Sequence, residues 1–143
     1  MHLIQLEPER VSDHWDEVLP MLNISLPDTE ELDKRNSSLL RAIIAGALVC
    51  WAIMDDNDKM VGFGSTTINI DGIVGEKELL IYTLFSNGDV TAEQWYDALD
   101  KLLAYARGRG CARIISYTNN KRMLALYRRY GGGRDVTKVM LEV

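Results

Sequence analysis

The chain has 143 residues, of which 47% are hydrophobic and 26% are charged, the balance of an ordinary globular protein. This length predicts a single domain, residues 1–143, with a core that needs no disulfide or metal support. The formal net charge of -5 excludes the overall basic footprint of a nucleic-acid-binding protein. Two cysteines and two histidines give no metal-ligand spacing, so we expect no metal site.

The cysteines and the apolar runs favour a cytoplasmic protein. Cys50 and Cys111 lie beside apolar strand segments far apart in the sequence, which predicts buried free thiols in a reducing compartment. The N-terminus lacks a basic segment followed by an apolar run, so we expect no signal peptide. The apolar run Ile43 to Met54 is too short to span a bilayer, so no membrane contact is expected.

The first third of the chain predicts one strand and two helices. Leu3–Leu6 has the composition of a strand. A helix is predicted to begin at Ser12 and to run through Leu22, with Pro20 ending or bending it. Asp28 with Glu31 predicts the cap of a second helix, which ends near Gly46.

The middle of the chain predicts a hairpin. Leu48–Met54 and Met60–Ile70 have strand composition and are separated by the turn-forming run Asp55–Asp58. Gly62 and Gly64 within the second strand predict a bulge or a close packing contact.

A strand, a crossover helix and a second strand follow. Leu79–Ser86 is apolar on both faces, as is usual for a central strand. Thr91 and Gln94 form the T-x-x-Q pattern of a capping box, and the helix that they begin is predicted to end at Gly108. Because Arg113–Tyr117 is the next strand, the two strands should be adjacent and parallel, with a right-handed crossover.

The order β-α-α-β-β-β-α-β-α-β completes the expected fold. A last helix follows Asn120, and the alternating segment Val136–Val143 predicts a closing strand. The fold class is therefore α/β, a mixed central sheet with helices on both faces.

The segment from Asn120 to Gly132 resembles the closing motif of the GNAT superfamily of acyl-CoA N-acyltransferases, N-x-x-A-x-x-L-Y-x-x-x-G-F. Asn120, Leu126, Tyr127 and Gly131 are in register, whereas Met123 replaces the alanine and Gly132 the phenylalanine. The resemblance implies that Tyr127 is the general acid that protonates the leaving thiolate. The alternative is that Tyr127 only packs between helix and sheet.

The resemblance also implies a cofactor and a reaction. Acetyl-CoA would lie where the two central strands splay apart, with Leu84, Phe85, Ser86 and Asn120 as the residues that bind it. Tyr82 is a further polar group that could line the same cleft. The reaction would transfer an acyl group to an amine substrate.

The second signature of that family, R/Q-x-x-G-x-G/A before the crossover helix, is missing. Val90, Glu93 and Trp95 occupy its positions, and a carboxylate and an indole are poor neighbours for a pyrophosphate. The chain in this respect resembles divergent GNAT-like proteins of tailed bacteriophages. The alternative function is therefore a non-catalytic module with a protein partner, either a homo-oligomer or a component of a virion or larger particle.

One basic cluster runs against the net charge and has two interpretations. It is either the solvated face of the last helix or an anion site for a cofactor phosphate or acidic partner. Its members are Lys121, Arg122, Arg128, Arg129 and Arg134.

Overall fold

The fold is built on one five-stranded sheet with the strand order β1-β2-β3-β4-β5. The computed structural model describes residues 2–88, 90–118 and 120–143. The strands are β1 (His2–Leu6), β2 (Val49–Met54), β3 (Met60–Ile70), β4 (Lys77–Ser86) and β5 (Cys111–Ser116). The helices are α1 (Pro8–Asp13), α2 (Trp15–Ile24), α3 (Leu32–Ile44), α4 (Ala92–Gly108) and α5 (Lys121–Tyr130).

The sheet is mixed, as predicted. Strands β1 to β4 pair antiparallel in sequence order, and β4 pairs parallel with β5. The parallel pair is joined by α4, which is the crossover helix expected between two adjacent parallel strands. The predicted α/β class, with a mixed central sheet, is therefore confirmed.

Helices cover both faces of the sheet. On one face, α1, α2 and α3 enclose a cluster of buried residues that includes Val11, Leu22, Ile43 and Phe63. On the other face, Trp95 and Leu102 of α4 and Leu126 of α5 are buried in clusters that include Trp51 and Leu79 of the sheet. Each strand contributes alternate side chains to the two layers, which is why β2 and β4 are apolar on both faces.

The two glycines of β3 mark close packing. A Cβ on Gly62 would lie 2.9 Å from Cδ1 of Ile53, and one on Gly64 would lie 3.2 Å from the carbonyl oxygen of Thr83. The register of β3 with β4 shifts between Ser65 and Thr66, beside Gly64. Both predicted features, the bulge and the close packing contact, are therefore present.

Two predictions for the N-terminal helices need correction. Pro20 does not end its helix: α2 passes through it and continues to Ile24, because Leu22 is fully buried beyond the proline and its burial offsets the missing hydrogen bond. The alternative, a bend at Pro20, stays a prediction. The break lies instead at His14, between α1 and α2. Helix α3 begins at Leu32 after Glu31, and it is Thr29, not Asp28, that accepts the Glu31 N–H.

The predicted closing strand, Val136–Val143, is also wrong. Residues 131–143, all of which the structure describes, form neither helix nor strand. Gly131 and Gly132 both adopt positive φ and redirect the chain after α5. Large side chains of the segment, including Val136, Val139 and Leu141, are left exposed. Alternation shows that a segment can form a strand, but it supplies no partner in register.

Within the described ranges, none of the helices has the length and apolar character needed to cross a membrane.

Candidate functional site

Strand β4 runs on beyond the end of its parallel partner β5, and we call the place where their pairing stops the fork. Their parallel pairing runs from Lys77 opposite Cys111 to Ile81 opposite Ser116, the last residue of β5. Strand β4 continues from Tyr82 to Ser86 beyond this pair. The splay expected between the two central strands stays a prediction, and we call Ile81 and Ser116, the last paired residues, the apex of the fork.

Strand β4 presents alternate backbone groups to the open side of the fork. The Asn87 N–H donates to the Val61 carbonyl at 3.3 Å, which sets the phase of the β3–β4 ladder. In an antiparallel ladder both polar groups of a residue point to the same side, and the side alternates along the strand. Phe85 therefore turns its backbone toward β3, whereas Leu84 and Ser86 turn theirs toward the fork.

One of these backbone groups already has a partner. The Ser25 hydroxyl, at the C-terminal end of α2, donates to the Leu84 carbonyl oxygen at 2.8 Å. The Leu84 N–H lies on the same edge of the strand. Sequence reasoning did not find Ser25, because no local pattern in the loop after α2 indicates a contact 59 residues away.

Tyr127 reaches the apex of the fork from α5. Its hydroxyl donates to the Ser116 hydroxyl at 3.1 Å. Helix α5 is fixed at its start by Asn120, whose side chain accepts the N–H groups of Arg122 and Met123. The buried Leu126 anchors the next turn against the sheet. The motif residue Tyr127 is therefore held at the place where the pairing of β4 and β5 stops.

The surroundings of Tyr127 keep its proton in place. Burial raises the pKa of the Tyr127 hydroxyl above its ordinary value, and the Ser116 hydrogen bond opposes this shift only in part. A phenol with a raised pKa is fully protonated at neutral pH, so it can donate a proton but cannot serve as a base.

A small apolar cavity of about 30 Å³ lies behind Tyr127, between the sheet and the α4–α5 layer. Leu84 of the fork borders it, together with Trp95 and Met123 from the helices. Trp95 is buried in this layer, so its ring lies in the core below α4. The cavity brings an apolar space next to a polar hydroxyl at the apex of the fork.

The N-terminus of α4 is capped by its own side chains. The Thr91 hydroxyl accepts the Gln94 N–H at 3.2 Å, and the Gln94 side chain accepts the Thr91 N–H at 2.9 Å, which confirms the predicted capping box. Val90 is buried, and Glu93 lies exposed in the first turn. Two backbone donors that could bind an anion are thus occupied, and a carboxylate stands beside the rest.

These residues fit one half of coenzyme A better than the other. At the fork, Leu84 and Ser86 turn their backbone groups away from β3, and of these the Leu84 carbonyl oxygen is occupied by Ser25. Such strand backbone suits the amide groups of a pantetheine arm. The capped α4 terminus with Glu93 is a poorer match for the pyrophosphate. One cation is near: a guanidinium nitrogen of Arg122 donates to the Val90 carbonyl at 3.4 Å.

The other predicted site residues have local partners. The Ser86 hydroxyl accepts the N–H of Gly88, and Asn120 serves as the cap of α5. Tyr82 lies on the face of the sheet covered by α3, where it borders a surface pocket. Among the described residues, no group of three or more His, Cys, Asp and Glu side chains could hold a metal ion.

Comparison with known proteins was made at the level of sequence and of structure. No protein-family model and no curated protein sequence matches the chain. Solved structures do match. A probable acetyltransferase is 13% identical with a TM-score of 0.75, and the match covers 100% of this chain and 98% of that one. The chain has the acetyltransferase fold.

Two further structures with this fold carry more information. An aminoglycoside antibiotic 6'-N-acetyltransferase from Acinetobacter baumannii is 14% identical, with a TM-score of 0.70 and coverage of 99% and 97%. A predicted acetyltransferase from Clostridium acetobutylicum, solved with acetyl-CoA, is 16% identical, with a TM-score of 0.65 and coverage of 99% and 94%. The GNAT-like fold expected from the residues Asn120 to Gly131 is therefore confirmed over the whole chain.

Proposed function

We propose that the protein is an N-acyltransferase that transfers an acyl group from acyl-CoA to an amine. One observation carries the proposal: the Tyr127 hydroxyl lies at the apex of the β4–β5 fork, bound to Ser116, which forms the last pair of the two strands with Ile81. The likeness to solved acetyltransferases, one of them with acetyl-CoA, supports it.

The thioester and the β4 backbone have separate roles in the proposed reaction. Acyl-CoA, when bound, supplies the thioester from which the acyl group is transferred. Leu84 and Ser86 would hold the pantetheine arm through their backbone, and the Leu84 N–H is a donor of the kind that stabilises developing negative charge on a carbonyl oxygen.

Tyr127 is the proton donor for the leaving group. In the transfer a C–N bond forms, a C–S bond breaks and the sulfur leaves with the bonding electron pair. Tyr127 holds the proton for that sulfur; its O–H donates to Ser116 in the resting enzyme and turns from Ser116 to the sulfur to deliver the proton. The amine gives up its own proton to solvent, and the tyrosinate takes up a proton from solvent, which restores the tyrosine at the end of the cycle.

The test is thiol release from acetyl-CoA with a panel of amines, for wild type and Tyr127→Phe. We expect the substitution to slow transfer by about a hundredfold or more, the usual contribution of a general acid. Folding should be little affected, because only one hydrogen bond, worth about 1 kcal/mol, is lost. Tyr130→Phe is the matched control: it lies on the same helix, and its hydroxyl binds Asp100 away from the fork.

Transfer that is unchanged in Tyr127→Phe removes this residue as the acid. Equal losses in Tyr127→Phe and Tyr130→Phe would indicate damage to α5 and not loss of a proton donor.

A second candidate is a non-catalytic binding or assembly module, for example a virion component, that keeps the fold without the cofactor. The capping box of α4, with Glu93 in its first turn, favours this candidate, because it weakens the phosphate end of the site. No transfer to any amine, combined with no binding of acetyl-CoA, would select it.

A further inference from the structure

A second concavity opens beside the fork, on the face covered by α1, α2 and α3. It has a volume of about 250 Å³ and lies between α3 and strands β3 and β4. Its polar lining is Arg35, Ser38, Thr67 and Tyr82, and Leu39 and Leu48 contribute to its apolar part.

Tyr82 connects this pocket to the fork. In the shifted register, Thr83 lies opposite Ser65 and Ile81 lies opposite Thr66, so Tyr82 is the extra residue of a β-bulge. Ile81 is also the last β4 residue paired with β5. The pocket therefore ends one residue from the apex, on the opposite side of the sheet from Tyr127.

Arg35 gives the pocket its charge. Its guanidinium donates to the Pro27 carbonyl oxygen and, at 2.6 Å, to the Asn23 side-chain oxygen. Both partners are neutral, and Arg35 forms no ion pair with any residue that the structure describes. Its Nε is buried and finds no hydrogen-bond partner within the same described ranges. Among the described residues, no carboxylate is paired with this half-buried guanidinium, so its charge is not offset by an ion pair.

The rest of the lining agrees with an anionic ligand. Tyr82 contributes a hydroxyl group, and Ser38 adds another from an exposed position on α3. The Thr67 hydroxyl already donates its proton to the Ala47 carbonyl oxygen at 2.8 Å. The described lining contains no carboxylate, although the chain as a whole carries a net charge of -5. In an acidic protein, a pocket with one arginine and no acid selects against cations and for a carboxylate.

We propose that this pocket binds the acceptor through a carboxylate, so that the substrate is an amine carrying a carboxylate at its other end. That the ligand is an acceptor rests on the proposed transfer reaction. That the pocket binds a carboxylate rests on Arg35 and its surroundings alone.

The test is a binding titration by heteronuclear NMR without acyl-CoA. The probes are ω-amino acids from glycine to 6-aminohexanoate, each paired with its primary amide, which keeps the amine and removes the negative charge. We expect at least one acid to bind about tenfold or more tightly than its amide, since the acid adds a charge-assisted hydrogen bond. Backbone signals of α3 and β3 should shift.

Three variants locate the effect. Arg35→Met should abolish the preference for the acid. Ser38→Asp places a carboxylate in the pocket without touching the partners of Arg35, and should weaken acid binding about tenfold or more. Ser37→Asp is its control, because Ser37 is also exposed on α3 but does not line the pocket. If Arg35→Met does not fold, Ser38→Asp still decides.

The proposal is overturned if none of the probes binds, if the amides bind as tightly as the acids, or if Ser38→Asp and Ser37→Asp behave alike. Acid binding without any acyl transfer would overturn the proposed reaction and leave the carboxylate pocket in place. Acyl transfer that shows no preference for acids would overturn the carboxylate pocket and leave the proposed reaction in place.

Discussion

Tyr127 and Ser116 show what a motif can and cannot predict about a single residue. The register of Asn120, Leu126 and Tyr127 nominated the tyrosine, and the structure places its hydroxyl at the fork. Ser116 had no such signal, because it is an ordinary residue at the end of a short strand. The contact of Ser116 with Tyr127 depends on the packing of α5 against β5, which no local sequence pattern indicates.

The two cysteines differ in how deeply their side chains are buried. Both are free thiols, but Cys50 is buried between sheet and helices, whereas Cys111 is partly exposed at the start of β5. Burial raises the pKa of Cys50 to about 12. The prediction of two buried thiols therefore holds for Cys50 and not for Cys111.

We expect one thiol of the native protein to react with a disulfide reagent at pH 8, and both to react in denaturant, because only the thiolate attacks. Cys111→Ser should abolish the native reaction, and Cys50→Ala should leave it unchanged. Rapid modification of two thiols in the folded wild type would contradict the burial of Cys50.

At the scale of elements, the features that have a strong local sequence pattern were predicted correctly. The capping box of Thr91 and Gln94 and the bounds of β3, Met60–Ile70, match the structure because each depends on neighbours in sequence. A helix end at Pro20 and a strand over Val136–Val143 are both absent from the structure, because each outcome depends on tertiary partners. Burial of Leu22 carries α2 past the proline, and the last segment lacks a paired edge.

The N-terminus of α4 gives a prediction about phosphate binding. The sequence suggested that the Trp95 indole and the Glu93 carboxylate are both poor neighbours for a pyrophosphate at this position. Trp95 is in the core, so its removal should cost about 3–5 kcal/mol of stability. Glu93 is exposed and can be changed alone.

We expect Glu93→Gln to bind CoA about two- to fivefold more tightly, because it removes a charge that repels phosphate at the positive end of the helix. Asp97→Asn, an exposed position one turn further along α4, is the control and should change little. The measurement is calorimetry at low salt. Equal affinities for wild type and Glu93→Gln would show that the phosphates do not approach this helix end.

At the scale of the whole molecule, the layered sheet could be predicted and its pockets could not. The order of elements was enough to place helices on both faces and β4 beside β5. The carboxylate pocket depends on Arg35 and Tyr82, which are far apart in sequence and meet only through the packing of α3 on the sheet.

The last eight residues test how the sheet ends. Among the residues that the structure describes, a chain that stops after Asp135 loses only exposed side chains and the contact of Lys138 with the Tyr117 ring. It also keeps the ion pair of Arg128 with Asp135. We expect urea unfolding to show a stability within about 1 kcal/mol of wild type, the size of one exposed cation–π contact. A loss of about 3 kcal/mol or more would mean that this segment pairs with the sheet after all.

The central claim is that the fork between β4 and β5 binds an acyl-CoA thioester through strand backbone. The most direct measurement is calorimetric titration of the wild type with acetyl-CoA and with S-acetylpantetheine, which lacks the nucleotide and its phosphates. We predict that both bind and that their affinities differ by less than about tenfold, because the α4 terminus is capped and carries Glu93. The absence of binding by either compound would contradict the account.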